Sequence, residues 1–173
     1  MDKKIIIEDY TINWSKQFED EKVRLHEILD HNVKSIEHIG STSVVGLGAK
    51  PILDIAIGVY DLEIIKTYVV PLQQVGYEFV NHTDFPERRF FRKGQWRAGT
   101  HHLHFYQFEG EHWNNQILFR NYLRNNHDVL KQYHQLKLDL AAQYPFDRVS
   151  YTKGKTDFVQ GVLREAKAKG FFC

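Results

Sequence analysis

Three regimes of hydrophobic patterning succeed one another along the chain. Over about residues 14–31, Trp14, Phe18, Leu25, Ile28 and Leu29 recur at helical spacing, which predicts an amphipathic helix with Asn13 or Ser15 as its N-cap. A middle stretch changes to period two. Residues 33–39 read as a short apolar strand broken by Gly40, and 41–48 as a loop or tight turn made flexible by Gly46 and Gly48. Residues 51–59 read as a strand with Leu53, Ile55, Ile57 and Val59 on one face and Asp54, Ala56 and Gly58 on the other. That parity takes Asp54 out of the oily layer and puts it on an open or ligand-covered side.

Asp61 is expected to cap a helix reaching about residue 74, ended by Gly76. Residues 77–108 read as several strands with turns at 81–86 and 93–99. The last of them again splits by parity, with Leu103 and Phe105 on one face and His102 and His104 on the other; His101 points with the first pair. The third regime begins at Glu111 and is helical throughout. Trp113, Ile117, Leu118 and Leu123 stripe one helix; Leu130, Tyr133, Leu136 and Leu140 stripe a second that stops at Tyr144-Pro145. A third, capped by Ser150, is expected to run to about residue 169. Helix, mixed sheet and helical layer in that order predict an α+β fold of two or three layers. With no repeat or linker-like tract, residues 1–173 read as one domain.

Composition narrows the function classes. A 42% hydrophobic, 26% charged chain of 173 residues is of ordinary globular type, and a net charge of +1 argues against a dedicated nucleic-acid binder. No run approaches the roughly 18 apolar residues of a membrane span, and the apolar run near Met1 is too short for a signal peptide. The lone cysteine, Cys173, rules out an intrachain disulfide and points to a reducing, cytoplasmic setting.

The candidate chemistry gathers around Asp54. A Gly40-Ser41-Thr42-Ser43 turn offers free amides and hydroxyls to phosphate oxygens, although it is no Walker loop. An aspartate inside a strand is uncommon and is a natural ligand for a hard cation; the plainer alternative is an ion pair with a nearby Lys50 or arginine. His102 and His104 lie one strand period apart, suited to joint metal ligation or to donation to phosphate, with zinc as compatible as magnesium. Arg88, Arg89, Arg92 and Lys93 form a basic run around Phe90-Phe91 able to clamp polyphosphate; Arg120, Lys153 and Lys155 are further candidates from the helical layer. Terminal Cys173 makes a poor nucleophile, and no Gly-x-Ser-x-Gly elbow is present.

Several of these runs resemble the GrpB family, a branch of the DNA polymerase beta-like nucleotidyltransferase superfamily. The likeness is carried by Ile36-Glu37-His38-Ile39-Gly40-Ser41-Thr42-Ser43, by Ala49-Lys50-Pro51-Ile52-Leu53-Asp54-Ile55 and by Thr100-His101-His102-Leu103-His104. It continues in Phe119-Arg120-Asn121-Tyr122-Leu123-Arg124 and in the run from Tyr151 to Val159. The resemblance implies a nucleotidyltransferase-like mixed β-sheet with an N-terminal helix and a C-terminal helical layer. It also implies a nucleotide or other phosphorylated small molecule as ligand, with Mg²⁺ or Mn²⁺ as cofactor and Zn²⁺ as the alternative. On that footing Gly40, Ser41, Thr42, Ser43, Lys50, Arg88 and Lys155 bind the ligand, Asp54, His102 and His104 hold the metal, and Asp54 and His104 act in nucleotidyl or phosphoryl transfer. One position departs from the superfamily pattern: a second acid is expected two residues after Asp54, where Ala56 stands. This leaves two further readings open, a noncatalytic ligand-sensing module on a degenerate transferase scaffold, and a metal-dependent phosphohydrolase.

Overall fold

The computed structural model describes residues 3–95 and 98–171. Trp96 and Arg97, within the expected 93–99 turn, and Cys173 lie outside the described residues. Helix α1 (Asn13–Leu29) leads through a 3₁₀ turn into β1 (Val33–Ile39) and β2 (Leu53–Val59). A second 3₁₀ stretch (Leu62–Tyr68) precedes α2 (Val69–Gln74), β3 (Tyr77–Val80), β4 (Arg88–Gln95) and β5 (Ala98–Gln107). The helical part comprises α3 (Glu111–Asn125), α4 (His127–Gln143), α5 (Arg148–Gly154) and α6 (Thr156–Ala168). The strands form one mixed sheet in the order β1-β2-β5-β4-β3, in which β2 and β5 run parallel and every other pair is antiparallel. The expected α+β arrangement, with its N-terminal helix and C-terminal helical layer, is the one observed.

One face of the sheet carries the main core. Ile36, Ile55, Ile57, Leu103, Phe105 and Phe91 meet Phe18, Leu25 and Leu29 of α1, with Ile65 and Leu72 closing the far edge. Each such side chain contributes roughly 1.5–3 kcal/mol by leaving water. The α1 stripe includes a buried acid, Glu21, satisfied by Tyr77 Oη at 2.7 Å and Lys93 Nζ at 3.2 Å. Neither Asn13 nor Ser15 caps this helix. Ile12 occupies the cap position without a side-chain bond, and Thr11 Oγ1 accepts from the Asn13 amide instead.

The opposite face is not open along its length, as the parity of β2 alone suggested. Ala56 packs with Ile39 and Tyr106 beneath Trp113 and Ile117 of α3. At Gly58 a methyl would lie 2.7 Å from Phe108. The small side chains of β2 are thus what allow α3 to approach the sheet. Along β2 the Asp54 end of this face is left uncovered: Asp54 keeps 31% of its side chain exposed, whereas Ala56 is 0% exposed.

Three other local expectations change. The Asp61 cap is present, accepting from the Glu63 amide, but the segment winds as 3₁₀ before α2 begins, because Pro71 fits only the first turn of a helix. The 41–48 loop is anchored rather than free, with Thr42, Ser43, Val44 and Leu47 buried against the helical layer. The last predicted helix is two helices. Asp147, not Ser150, caps the first by accepting from the Ser150 amide at 3.0 Å, and Gly154 ends it where a methyl would meet Leu140 of α4 at 2.4 Å. Among the described residues no helix is long and apolar enough to cross a membrane.

Candidate functional site

Gly40 ends β1 with φ +69°, a backbone state that favours glycine. The turn it opens is closed by Ser43, whose amide and hydroxyl both donate to the Gly40 carbonyl at 3.2 and 2.5 Å. Thr42 Oγ1 lies 2.9 Å from His38 Nε2, and the Arg124 guanidinium donates to the Ser43 carbonyl at 2.7 Å. Ser43 therefore faces into the turn. Ser41 and Thr42 face the neighbouring cavity. His38 is stacked on Phe18, and burial first, then Arg124, hold it neutral with a pKa lowered to about 4.

The parallel register sets Asp54 beside His102 and Ala56 beside His104. Asp54 Oδ1 accepts from His102 Nδ1 at 3.2 Å and from His104 Nε2 at 3.0 Å. Burial by itself would raise the Asp54 carboxyl; these two hydrogen bonds outweigh it and hold the group well below the usual carboxylate range. For His104, burial lowers the pKa against the pull of Asp54. On the far side of the ring, Arg88 Nη1 approaches His104 Nδ1 at 3.4 Å, while Nη2 donates to His82 Nδ1 at 2.6 Å. A guanidinium only donates, so His104 Nδ1 is the acceptor and its proton resides on Nε2, facing Asp54. Arg88 thus reaches the site through His104 rather than by lining the cavity.

Asp54, His102 and His104 present three ligand atoms within 4.8 Å of one another. Ligands that each bind a tetrahedral cation at about 2.1 Å stand roughly 3.4 Å apart, close to the 3.0 and 3.2 Å at which His104 and His102 already approach Asp54 Oδ1 through hydrogen bonds. The set therefore fits one ion. Ligation by His104 Nε2 would move its proton to Nδ1, opposite Arg88. No second carboxylate adjoins it among the described residues. Glu37, next to Ala56 in the register, is held by Arg120 at 2.7 Å.

Beside Asp54 lies a cavity of about 250 Å³ whose walls include Ser41, Thr42, Lys50, Lys137 and Lys155. Each lysine rests on a tyrosine face: Lys50 and Lys155 at 5.0 and 4.6 Å from the Tyr151 ring, Lys137 at 5.0 Å from Tyr133. Burial, then the neighbouring ammoniums, push Lys137 down to about 7 and Lys155 down to about 8; burial and Arg148 lower Lys50. Lys137 also donates to the Gly48 carbonyl. Crowded cations with lowered pKa values are relieved by an anion. The alternative pairing of Asp54 with Lys50 is not among the hydrogen bonds of Asp54, which go to the two histidines.

Sequence reasoning placed Ser41, Thr42, Lys50, Asp54, His102 and Lys155 on this cavity but missed Lys137, Tyr151 and Thr152. Lys137 left a legible signal, since it continues the buried stripe Leu130, Tyr133, Lys137, Leu140, where a lysine is out of place. Other basic candidates lie elsewhere: Arg89 pairs with Glu63, Lys93 with Glu21, and Arg120 with Glu37 and the His38 carbonyl.

The chain is similar in sequence and overall fold to known proteins. The crystal structure of the conserved protein GrpB from Enterococcus faecalis superposes with a TM-score of 0.89 at 36% identity, covering 96% of this chain and 99% of that one. The glutamate-rich protein GrpB of Alkalihalophilus pseudofirmus is 36% identical over 165 residues, 93% of this chain and 95% of the relative. The YqkA protein of Bacillus subtilis is 34% identical, and there the match spans 48% of the longer relative. The family model described as GrpB protein matches residues 4–165, and the chain belongs to the GrpB family.

Proposed function

We propose that the cavity beside Asp54 binds a nucleotide or another phosphorylated small molecule together with one divalent cation. The observation that carries this reading is the meeting, on one small cavity, of three lysines with a carboxylate flanked by two imidazoles. Lys50, Lys137 and Lys155 neutralise phosphate oxygens, and the Ser41 turn offers them a hydroxyl. Asp54 and His102, with His104, hold the cation, Mn²⁺ or Zn²⁺ suiting imidazole donors better than Mg²⁺. Such an ion supplies charge stabilisation to a phosphoryl group. Before the ion binds, His104 keeps the Asp54 carboxylate ionised by donating to it. Transfer of a nucleotidyl or phosphoryl group is the reaction this arrangement serves. Titration calorimetry with nucleoside triphosphates and Mn²⁺ tests it; no heat from the native protein, or equal binding by Ser41→Ala and Asp54→Asn, sinks it.

Binding without turnover is the second reading, and the burial of Ala56 beneath α3 favours it, since among the described residues Asp54 is the one carboxylate on the lysine-lined cavity. Pyrophosphate release from labelled triphosphate that disappears in Asp54→Asn would exclude it.

A further inference from the structure

A second, larger cavity of about 770 Å³ opens next to the lysine-lined one, and the two share Ile52, His102 and Thr152 as walls. At about 250 Å³ the smaller cavity falls below the roughly 300–1,000 Å³ of small-molecule sites, whereas the larger lies well within it. The smaller one therefore suits part of a ligand rather than a whole one.

The larger lobe presents more apolar wall than its neighbour, and Arg92, Arg148 and Lys153 line it as well. Val80 and Phe90 come from the sheet and Val149 from α5, with Asp84 and Gln95 supplying an acceptor and an amide at its margin. His82 stacks on Phe90 at 5.2 Å with ring planes 14° apart. Arg88 ties this wall to the cation site, because it donates to His82 with one nitrogen and reaches His104 with the other. Phe90 also meets the rings of His102 and His104 at 5.2 Å. The lobe is thus a ring-lined space with a largely apolar wall, adjoining the Asp54 site through His102 and carrying cationic and polar groups among its walls. Rings and apolar walls with a few polar groups suit a flat heterocycle.

We infer that the larger lobe seats the ring-bearing body of the ligand, with its phosphates reaching past His102 into the lysine-lined lobe. This rests on the phosphate-binding reading above and adds that the organic part is recognised too, by the wall of Val80, His82, Phe90 and Val149. Val149 is 69% exposed on the surface of α5, so a bulky residue there fills the lobe without disturbing the core.

The test compares two probes by titration calorimetry on the full chain with Mn²⁺: inorganic tripolyphosphate, which carries the phosphates without a ring, and the four common nucleoside triphosphates. At least one nucleoside triphosphate is expected to bind tenfold or more tighter than tripolyphosphate. Val149→Trp should erase that advantage and leave tripolyphosphate binding unchanged, whereas Lys155→Ala should weaken both probes. If tripolyphosphate binds but no nucleoside triphosphate binds tighter, or if the advantage survives in Val149→Trp, the inference is overturned while the phosphate reading stands. Failure of tripolyphosphate and all four nucleotides to bind removes both.

Discussion

Gly40 and Asp54 are in direct contact: a methyl group built on Gly40 would lie 2.8 Å from Asp54 Oδ2 and 3.0 Å from its Cβ. The glycine is needed twice, for its φ of +69° and for this approach. Gly40→Ala is therefore expected to cost about 2 kcal/mol of stability, from the left-handed backbone and the clash together. Because the clash falls on the carboxylate, divalent-cation affinity should drop at least tenfold. Chemical denaturation and metal titration check the two effects separately. A destabilised variant with native metal affinity would show that Asp54 is not the ligand.

One ion of a borderline transition metal is the expected stoichiometry. Purified protein stripped and reloaded with Mn²⁺, Zn²⁺ or Mg²⁺ should retain the first two far better than the third, as two imidazoles and one carboxylate favour. Asp54→Asn keeps the volume and removes the charge, and should reduce retention about a hundredfold. His102→Ala should cost more than His104→Ala, since His104 must shift its proton toward Arg88 in order to ligate. Elemental analysis after dialysis reads all four proteins, and Mg²⁺ retained as well as Mn²⁺ would argue for oxygen-only ligation.

Phosphate affinity should depend on pH through Lys137 and Lys155. Their folded-state values of about 7 and about 8 lie below the ordinary lysine value of 10.5. An anion stabilises the charged forms, so tripolyphosphate should bind most tightly below pH 7 and progressively less as pH rises through 7 to 8. Titrations at pH 8 in buffers of different ionisation enthalpy should show proton uptake. For stability the sign is reversed. Both groups are easier to charge in the unfolded chain, so the ligand-free fold should gain stability from about pH 7 toward pH 10 as these lysines release their protons. Proton release on binding would contradict the placement of these ammoniums at the anion site.

Restoring a second acid should fail. Ala56 is sealed beneath Tyr106, Trp113 and Ile117, so Ala56→Asp buries a carboxylate without a partner and should cost about 3 kcal/mol or more. Metal stoichiometry should remain one. A variant of native stability binding two ions would mean that α3 yields more readily than its packing indicates.

Strand parity was the most informative sequence signal, because period-two alternation fixes which side chains share a face before any partner strand is known. His102 and His104 share a face for that reason, and the parallel register of β2 with β5 brings Asp54 to the same face. What covers the face was not legible. Nothing local in Leu53–Val59 announces that Trp113 and Ile117, more than fifty residues later, will close over Ala56 and Gly58. The break at Gly154 had a similar origin, since the close approach of Leu140 from another helix sets it. Lys137 was legible in principle, but the stripe was read through Leu136 and passed over the lysine beside it. The ligand-binding expectation for Thr42 and Ser43 rested on turn chemistry and that for Arg88 on a run of basic residues, and the turn's own hydrogen bonds account for much of what Thr42 and Ser43 do.

The sheet joins a hairpin, β1 and β2, to a three-stranded unit, β3 to β5, along the single seam where β2 and β5 run parallel. Asp54 and His102 face each other across that seam from positions 48 residues apart. An ion held there acts as a removable cross-link between the two halves of the sheet, closing a long loop that the unfolded chain leaves open. Removing it with a chelator should therefore loosen the seam before it loosens either half, so that amide exchange along β2 and β5 reports whether the site is filled even when no reaction can be measured.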